Sequence, residues 1–169
     1  MILWEYRGTL QALWVLGLVV ISWRRGSVPE QATALTLMAM IVLSWLYRQF
    51  FLATPPWMRA GGYFETDVVY VLIDSAALIA LFPVAMLSNR IYPILMTGFQ
   101  LFATSMHFAG IVMKKEAPFA YGLLNMLPFY FMIGSQTWGL VAHVLREKRW
   151  GPYPSWRKSF DPSRMMRRM

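Results

Sequence analysis

The sequence predicts an all-α, polytopic transmembrane helical bundle with about five spans. Hydrophobic residues make up 57% of the 169 residues and charged residues only 14%, whereas a typical soluble domain has about 25% charged residues. The apolar residues form long segments, and a bilayer core ~30 Å thick needs roughly 20 such residues in a helix. Because an isolated strand in lipid leaves backbone groups unpaired, we expect these segments to be helices.

Five apolar segments make up the predicted transmembrane domain, residues 1–145. The first segment is short and has Arg residues at both ends, so it spans only with snorkelling flanks or local thinning of the bilayer. The fifth is long enough to tilt or to project from the membrane. Pro83 and Pro128 lie inside the third and fifth segments, which they are expected to kink. The predicted spans are residues 8–23, 31–52, 66–87, 92–113 and 119–145.

The distribution of Lys and Arg predicts the orientation in the membrane. With five spans, the basic residues of one side greatly outnumber those of the other, and the positive-inside rule puts the richer side in the cytoplasm. The N-terminus is then outside and the C-terminus cytoplasmic; with four spans, both ends would be cytoplasmic. The richer side holds Arg24, Arg25, Arg90 and the basic tail, and the other side holds Arg7, Arg59, Lys114 and Lys115.

Three polar side chains are predicted at one level inside the membrane. Asp74, His107 and Asn125 each lie a few residues from the outer ends of the third, fourth and fifth segments, which at ~1.5 Å per residue places them roughly 9–12 Å deep. Gln100, Thr104 and His107 recur at helical spacing, and Gln136 follows the face of Asn125. Such stripes should face the bundle interior. The predicted intramembrane polar cluster is Asp74, Gln100, Thr104, His107, Asn125 and Gln136.

This cluster has three interpretations. Asp74 and His107 could form a buried pair that joins helices, or they could handle protons or a solute, since His titrates near neutral pH and carboxylates relay protons. The third interpretation is a ligand or pigment site at His107, with small neighbours leaving room for a flat ring. A haem held by both histidines is excluded, because His107 and His143 lie ~25 Å apart along the membrane normal.

Catalytic and metal-binding motifs are absent from the sequence. There is no Cys, no G-x-S-x-G, no P-loop and no H-E-x-x-H. We therefore expect neither an enzyme nor a metal site, and the identity of any cofactor stays open.

Residues 146–169 are predicted to form a basic cytoplasmic tail. Half of the 16 Lys and Arg lie in it, interleaved with aromatic residues. This composition suits an anionic lipid leaflet, with the acidic patch of a partner protein as the alternative and nucleic acid as a distant third. The residues expected to contact lipid or a partner are Arg146, Lys148, Arg149, Trp150, Trp156, Arg157, Lys158, Arg167 and Arg168.

Several short runs carry a family resemblance: DSAAL at 74–78, SNRIYP at 88–93, GFQL at 98–101, and His107. Across roughly residues 66–145 the chain resembles small, functionally uncharacterised multipass membrane proteins of alphaproteobacteria. The resemblance implies a topology and a location in the bacterial inner (cytoplasmic) membrane, and it implies no catalytic activity.

Three functions follow as hypotheses. The first is a non-catalytic accessory or structural subunit that packs against a larger membrane complex. The second is a small transporter or channel component that uses the Asp74/His107 pair. The third is a cofactor- or pigment-binding accessory that uses His107.

Overall fold

The computed structural model describes residues 6–52, 68–116, 118–151 and 154–156. Over these ranges the chain is all-α, which confirms the all-α part of the predicted fold class, and each of the five apolar segments forms a helix. The helices are α1 (Arg7–Arg25), α2 (Val28–Leu52), α3 (Val68–Leu87), α4 (Tyr92–Glu116) and α5 (Pro118–Trp150).

The five helices pack into a closed bundle. Each helix contacts the next one along the chain, and α5 also packs against α1 and α2. Trp14 Nε1 on α1 donates a hydrogen bond of 3.2 Å to Thr137 Oγ1 on α5, which joins the first helix to the last. We call the end of the bundle where α1 and α5 finish, α2 begins and the α3–α4 turn lies the tail end.

The second helix begins earlier than the sequence predicts. The run from Gly26 to Pro29 reads as a breaker, which places the predicted start at residue 31, yet α2 begins at Val28. A capping interaction explains the difference, because Glu30 accepts a 3.0 Å hydrogen bond from the backbone N–H of Ser27. Pro29 is tolerated in the first turn, where its missing N–H costs little.

The fifth helix ends later than the predicted span. It continues past residue 145 to Trp150, into the segment assigned to the tail, and includes Lys148 and Arg149 in its last turn. Basic residues at this position interact favourably with the negative end of the helix dipole. Gly151 then ends the helix with a φ of 73°, and its N–H donates to Glu147 O over 2.9 Å.

Both internal prolines lie inside helices, as the sequence predicts. Pro83 is in α3 and Pro128 is in α5, and each helix continues beyond its proline. Neighbouring helices in a membrane bundle can accommodate the backbone groups that such a proline frees.

An apolar layer crosses the middle of the bundle. Leu37, Leu81, Met96 and Met132 come from α2, α3, α4 and α5, and each has 0% of its surface exposed. All four belong to one core cluster. Their dense packing holds the four helices together by dispersion contacts, which are weak singly and large in sum.

The outer faces of the helices are also apolar. On α3, Leu72, Ile79 and Phe82 are 62%, 73% and 56% exposed. By length and composition, two of the described helices could cross a membrane, Val28–Phe50 and Val68–Leu87. The apolar window of α3 is only 17% buried inside the bundle, whereas the core helix of a soluble protein would be mostly buried.

Candidate functional site: two buried polar clusters

Asp74 contacts two side chains of the adjacent helix. Asp74 Oδ2 on α3 lies 2.7 Å from His107 Nε2 on α4. Gln100 Nε2 donates hydrogen bonds to Asp74 Oδ1 over 3.1 Å and to the backbone carbonyl of Asp74 over 3.0 Å. We call these three residues the Asp74 cluster. It joins α3 to α4 on the side of the apolar layer away from the tail end.

Helical spacing brings the Asp74 cluster together. Gln100 and His107 are two turns apart on α4, so their side chains project from one face. That face packs against α3, where Asp74 lies opposite both residues. Gln100 is completely buried, whereas the His107 and Asp74 side chains keep 9% and 18% of their surface exposed.

One acceptor in this cluster is buried without a partner. Gln100 Oε1 has no hydrogen bond among the residues that the structure describes. A buried amide oxygen left unpaired costs about 1–3 kcal/mol. Gln100 Oε1 could therefore accept one further hydrogen bond, for example from a water molecule or a solute hydroxyl.

The other members of the predicted cluster lie elsewhere. Thr104 is half-buried, and its hydroxyl donates to Gln100 O of its own helix over 2.9 Å. Asn125 is exposed, so its side chain does not join Asp74 and His107 inside the bundle. Gln136 is fully buried but is hydrogen-bonded to a second cluster, nearer the tail end.

The second cluster is centred on Glu30 and Arg90. Arg90 Nε donates to Glu30 Oε1 over 2.9 Å, with 4% and 0% of the two side chains exposed. The other carboxylate oxygen, Oε2, accepts from the backbone N–H and the hydroxyl of Ser27. Arg90 Nη2 lies 3.2 Å from His143 Nδ1 and donates to Ser27 Oγ over 3.3 Å. We call these four residues the Glu30 cluster.

A hydrogen-bonded extension runs from the Glu30 cluster toward the apolar layer. Gln136 Nε2 donates to the backbone carbonyl of Glu30 over 3.0 Å, and Thr33 Oγ1 donates to Gln136 Oε1 over 2.7 Å. Tyr92 OH lies 3.5 Å from Thr33 Oγ1. The extension links α2, α4 and α5 on the side of the ion pair that faces the apolar layer.

The buried carboxylates of Glu30 and Asp74 therefore both have partners on other parts of the fold. Taking a charge out of water costs several kcal/mol unless a partner and further hydrogen bonds compensate. Glu30 meets this requirement through Arg90 and Ser27, and Asp74 meets it through His107 and Gln100. The described contacts make each cluster a cross-link between helices.

The Glu30 cluster was not predicted from the sequence. Arg90 was counted among the loop cations, and neither Glu30 nor His143 was assigned to a site. A usable signal was present, since Glu30 is the one acidic residue of the 24–30 connection. That connection lies on the same predicted side of the membrane as Arg90 and His143, and a carboxylate beside a membrane span requires a partner.

Residues 154–156 of the tail, which follow α5, contact the α3–α4 turn. Asn89 N donates to Ser155 O over 3.0 Å, and Trp156 forms a backbone bridge with Ser88. Arg146, Lys148, Arg149 and Trp150 are exposed on the last turns of α5, Trp150 at 82%. The predicted contact residues Arg157, Lys158, Arg167 and Arg168 lie outside the described residues.

A cofactor that binds His107 through Nε2 would have to displace Asp74. The carboxylate already occupies Nε2, the ring nitrogen that most often ligates iron or zinc. Within the ranges that the structure describes, three or more His, Asp or Glu side chains nowhere gather as a potential metal site.

Fold and clusters together define an all-α helical bundle with apolar outer faces and two internal polar clusters on opposite sides of an apolar layer. No protein-family model, curated protein or solved structure matches this chain.

Proposed function

We propose that the chain is a non-catalytic, five-span membrane protein that packs against a larger membrane complex as an accessory or structural subunit. The observation that carries this proposal is the pairing of its buried ionisable groups. Glu30 with Arg90, and Asp74 with His107, bind each other across helices. Groups used in this way stabilise a rigid bundle and leave its apolar outer faces to contact lipid or other subunits.

The exposed apolar surface supports the membrane part of the proposal. Soluble proteins scatter exposed apolar residues singly, and a large contiguous apolar surface marks contact with a membrane or another protein. Large apolar side chains are exposed on every helix, including Leu13 on α1, Trp45 on α2, Ile79 on α3, Phe108 on α4 and Trp138 on α5.

The charges support an orientation with the N-terminus outside and the C-terminus in the cytoplasm. At the tail end, the described residues include six basic side chains and two carboxylates, Glu30 and Glu147. The positive-inside rule favours the cytoplasm for such an end. A bacterial inner membrane is the location that the alphaproteobacterial resemblance implies. The six basic residues are Arg24, Arg25, Arg90, Arg146, Lys148 and Arg149.

Co-purification from native membranes tests the accessory role. The full chain, tagged and expressed at its natural level, would be extracted in two mild detergents and resolved on native gels. We expect it to migrate with the same larger membrane proteins in both detergents. A double variant, Ile79→Ala with Phe82→Ala, removes only exposed side chains of α3 and tests whether that face holds the partner. Migration of the wild-type chain alone in both detergents would overturn the proposal.

A second candidate function is proton or solute transfer through the Asp74 cluster. It is favoured by the unpaired, buried Gln100 Oε1 and by the partial exposure of the Asp74 carboxylate. Proton flux in liposomes, measured with an enclosed pH-sensitive dye, tests it. Flux that is lost in Asp74→Asn and kept in Asn125→Ala supports transfer, and equal flux in both variants and in empty liposomes rejects it.

A further inference from the structure

An apolar groove lies between α4 and α5. Its volume is about 500 Å³, and it opens to the outside of the bundle. Leu95, Gly98 and Phe102 line it from α4, and Pro128 and Phe131 line it from α5. A Cβ placed on Gly98 would have no neighbour within 4 Å, so the groove is open beside this residue.

A polar pocket of about 290 Å³ lies between the same two helices at the tail end. It is lined by Arg90, His143 and Arg146, which carry cationic or titratable groups, and by Tyr92 and Trp138. Arg90 and His143 are more than nine-tenths buried, whereas Arg146 is exposed on the outer turn of α5.

The groove and the pocket lie along one seam. Their lining residues recur at steps of three and four along α4 and at steps of seven and four along α5, which are spacings of a single helical face. This face begins at Ile91, just before α4, and continues on α4 with Leu95, Gly98 and Phe102; on α5 it carries Phe131, Trp138, Ala142 and Arg146.

The seam matches the length of one bilayer leaflet. From Arg90 to Phe102 the chain rises ~18 Å at ~1.5 Å per residue. One leaflet contributes about half of the ~30 Å hydrocarbon core. An acyl chain whose head group lies at Arg90 would therefore reach the inner end of the groove near Phe102.

The charge around the pocket favours an anion. Glu30 and Glu147 are the only acidic residues among those described at the tail end, which also holds six basic residues. Glu30 is bound to Arg90 inside the bundle, and Glu147 Oε2 lies 3.9 Å from His143 Nε2. Basic pockets between membrane helices on the cytoplasmic side are suited to phospholipid head groups.

We propose that this seam binds one anionic phospholipid of the tail-side leaflet. Its phosphate lies beside Arg146 and the Arg90–His143 pair, and one acyl chain fills the groove along Gly98. Trp138, which lines the pocket and is 55% exposed, packs against the glycerol region. The inference rests on the proposed membrane position of the chain, and it is independent of whether a larger complex binds.

Lipid retention by the purified full chain tests the inference. Protein in a neutral detergent is mixed with phosphatidylglycerol or phosphatidylcholine of identical acyl chains, and bound lipid is counted by native mass spectrometry. We expect the wild type to prefer phosphatidylglycerol. Arg146→Gln should weaken this preference about fivefold, because one basic residue near an anionic lipid is worth ~1 kcal/mol. Gly98→Leu, which fills the groove, should reduce retention of both lipids.

Arg149→Gln is the matched control, because it removes the same charge from the same helix without lining the pocket. Leu95→Trp fills the groove from its exposed rim and replaces Gly98→Leu if that variant does not fold. Equal effects of Arg146→Gln and Arg149→Gln, equal retention of the two lipids by the wild type, or displacement of phosphatidylglycerol by inorganic phosphate would each overturn the inference. A chain that needs no detergent to stay soluble would instead refute the membrane position itself.

Discussion

Arg90 Nε lies 2.9 Å from Glu30 Oε1, and the two side chains are 4% and 0% exposed. The pair joins the first turn of α2 to the α3–α4 turn, and the contact of Arg90 with His143 adds α5. One guanidinium thus holds three separate parts of the chain at the tail end, and substitutions around it test the structure.

Removing one member of the Glu30–Arg90 pair should destabilise the bundle strongly. Arg90→Met leaves the Glu30 carboxylate buried without its cation, a change that typically costs ~3–5 kcal/mol. The double variant Glu30→Gln with Arg90→Met should recover part of this loss, because no unpaired charge remains. Thermal unfolding in detergent measures both. Glu147→Gln, at a side chain 48% exposed, is the control and should change stability by less than ~0.5 kcal/mol. Equal, small effects of all three variants would refute the buried pair.

Two glycines of α5 should respond differently to a methyl group. A Cβ on Gly139 would overlap the ring of Tyr92, whereas a Cβ on Gly134 would meet nothing within 4 Å. Gly139→Ala should therefore cost ~1–3 kcal/mol through overpacking. Gly134→Ala should be neutral or stabilising by up to ~1 kcal/mol, since Ala favours the helix. Unfolding temperatures of the two variants decide this, and the reverse order would contradict the packing of α4 on α5.

Asp74 and His107 should be energetically coupled. A double-mutant cycle with Asp74→Asn and His107→Leu should give a coupling of ~0.6–1.7 kcal/mol, the range of hydrogen bonds between membrane helices. The same cycle with Asn125→Ala in place of His107→Leu should give no coupling, since Asn125 is exposed. Stability in detergent is the measurement. If the coupling energy of Asp74 with Asn125 were as large as that with His107, the assignment of residues to the Asp74 cluster would be wrong.

Single cysteines can establish the topology, because the chain has none of its own. Tyr6→Cys and Trp150→Cys introduce thiols at positions that are 57% and 82% exposed. A membrane-impermeant maleimide should label Tyr6→Cys from outside the cell and Trp150→Cys only in inverted vesicles. Labelling of both from the same side would mean an even number of spans.

The sequence predicted which segments form helices better than which residues meet. The five apolar runs located all five helices, because an apolar run longer than a typical strand favours a helix. The start of α2 was missed because the Ser27–Glu30 capping interaction outweighs the apparent breaker Pro29. The end of α5 was missed because charge, which marks the limit of an apolar run, does not end a helix.

Depth along a helix could be read from the sequence, but rotation about the helix axis could not. Asp74 and His107 were placed at one level, and they are in contact. Asn125 was placed at the same level, yet its side chain points outward. The Glu30 cluster depends on side chains from positions 60 and 53 residues apart, and no local periodicity reports such contacts.

We propose that lipid surrounds the outer faces of this bundle while its buried polar groups bind one another. Fractionation of cells that express the full chain, followed by an alkaline carbonate wash of the membranes, tests this directly. We expect the chain to stay in the washed membranes and to leave them only with detergent. Recovery of a folded monomer in the detergent-free supernatant would contradict it.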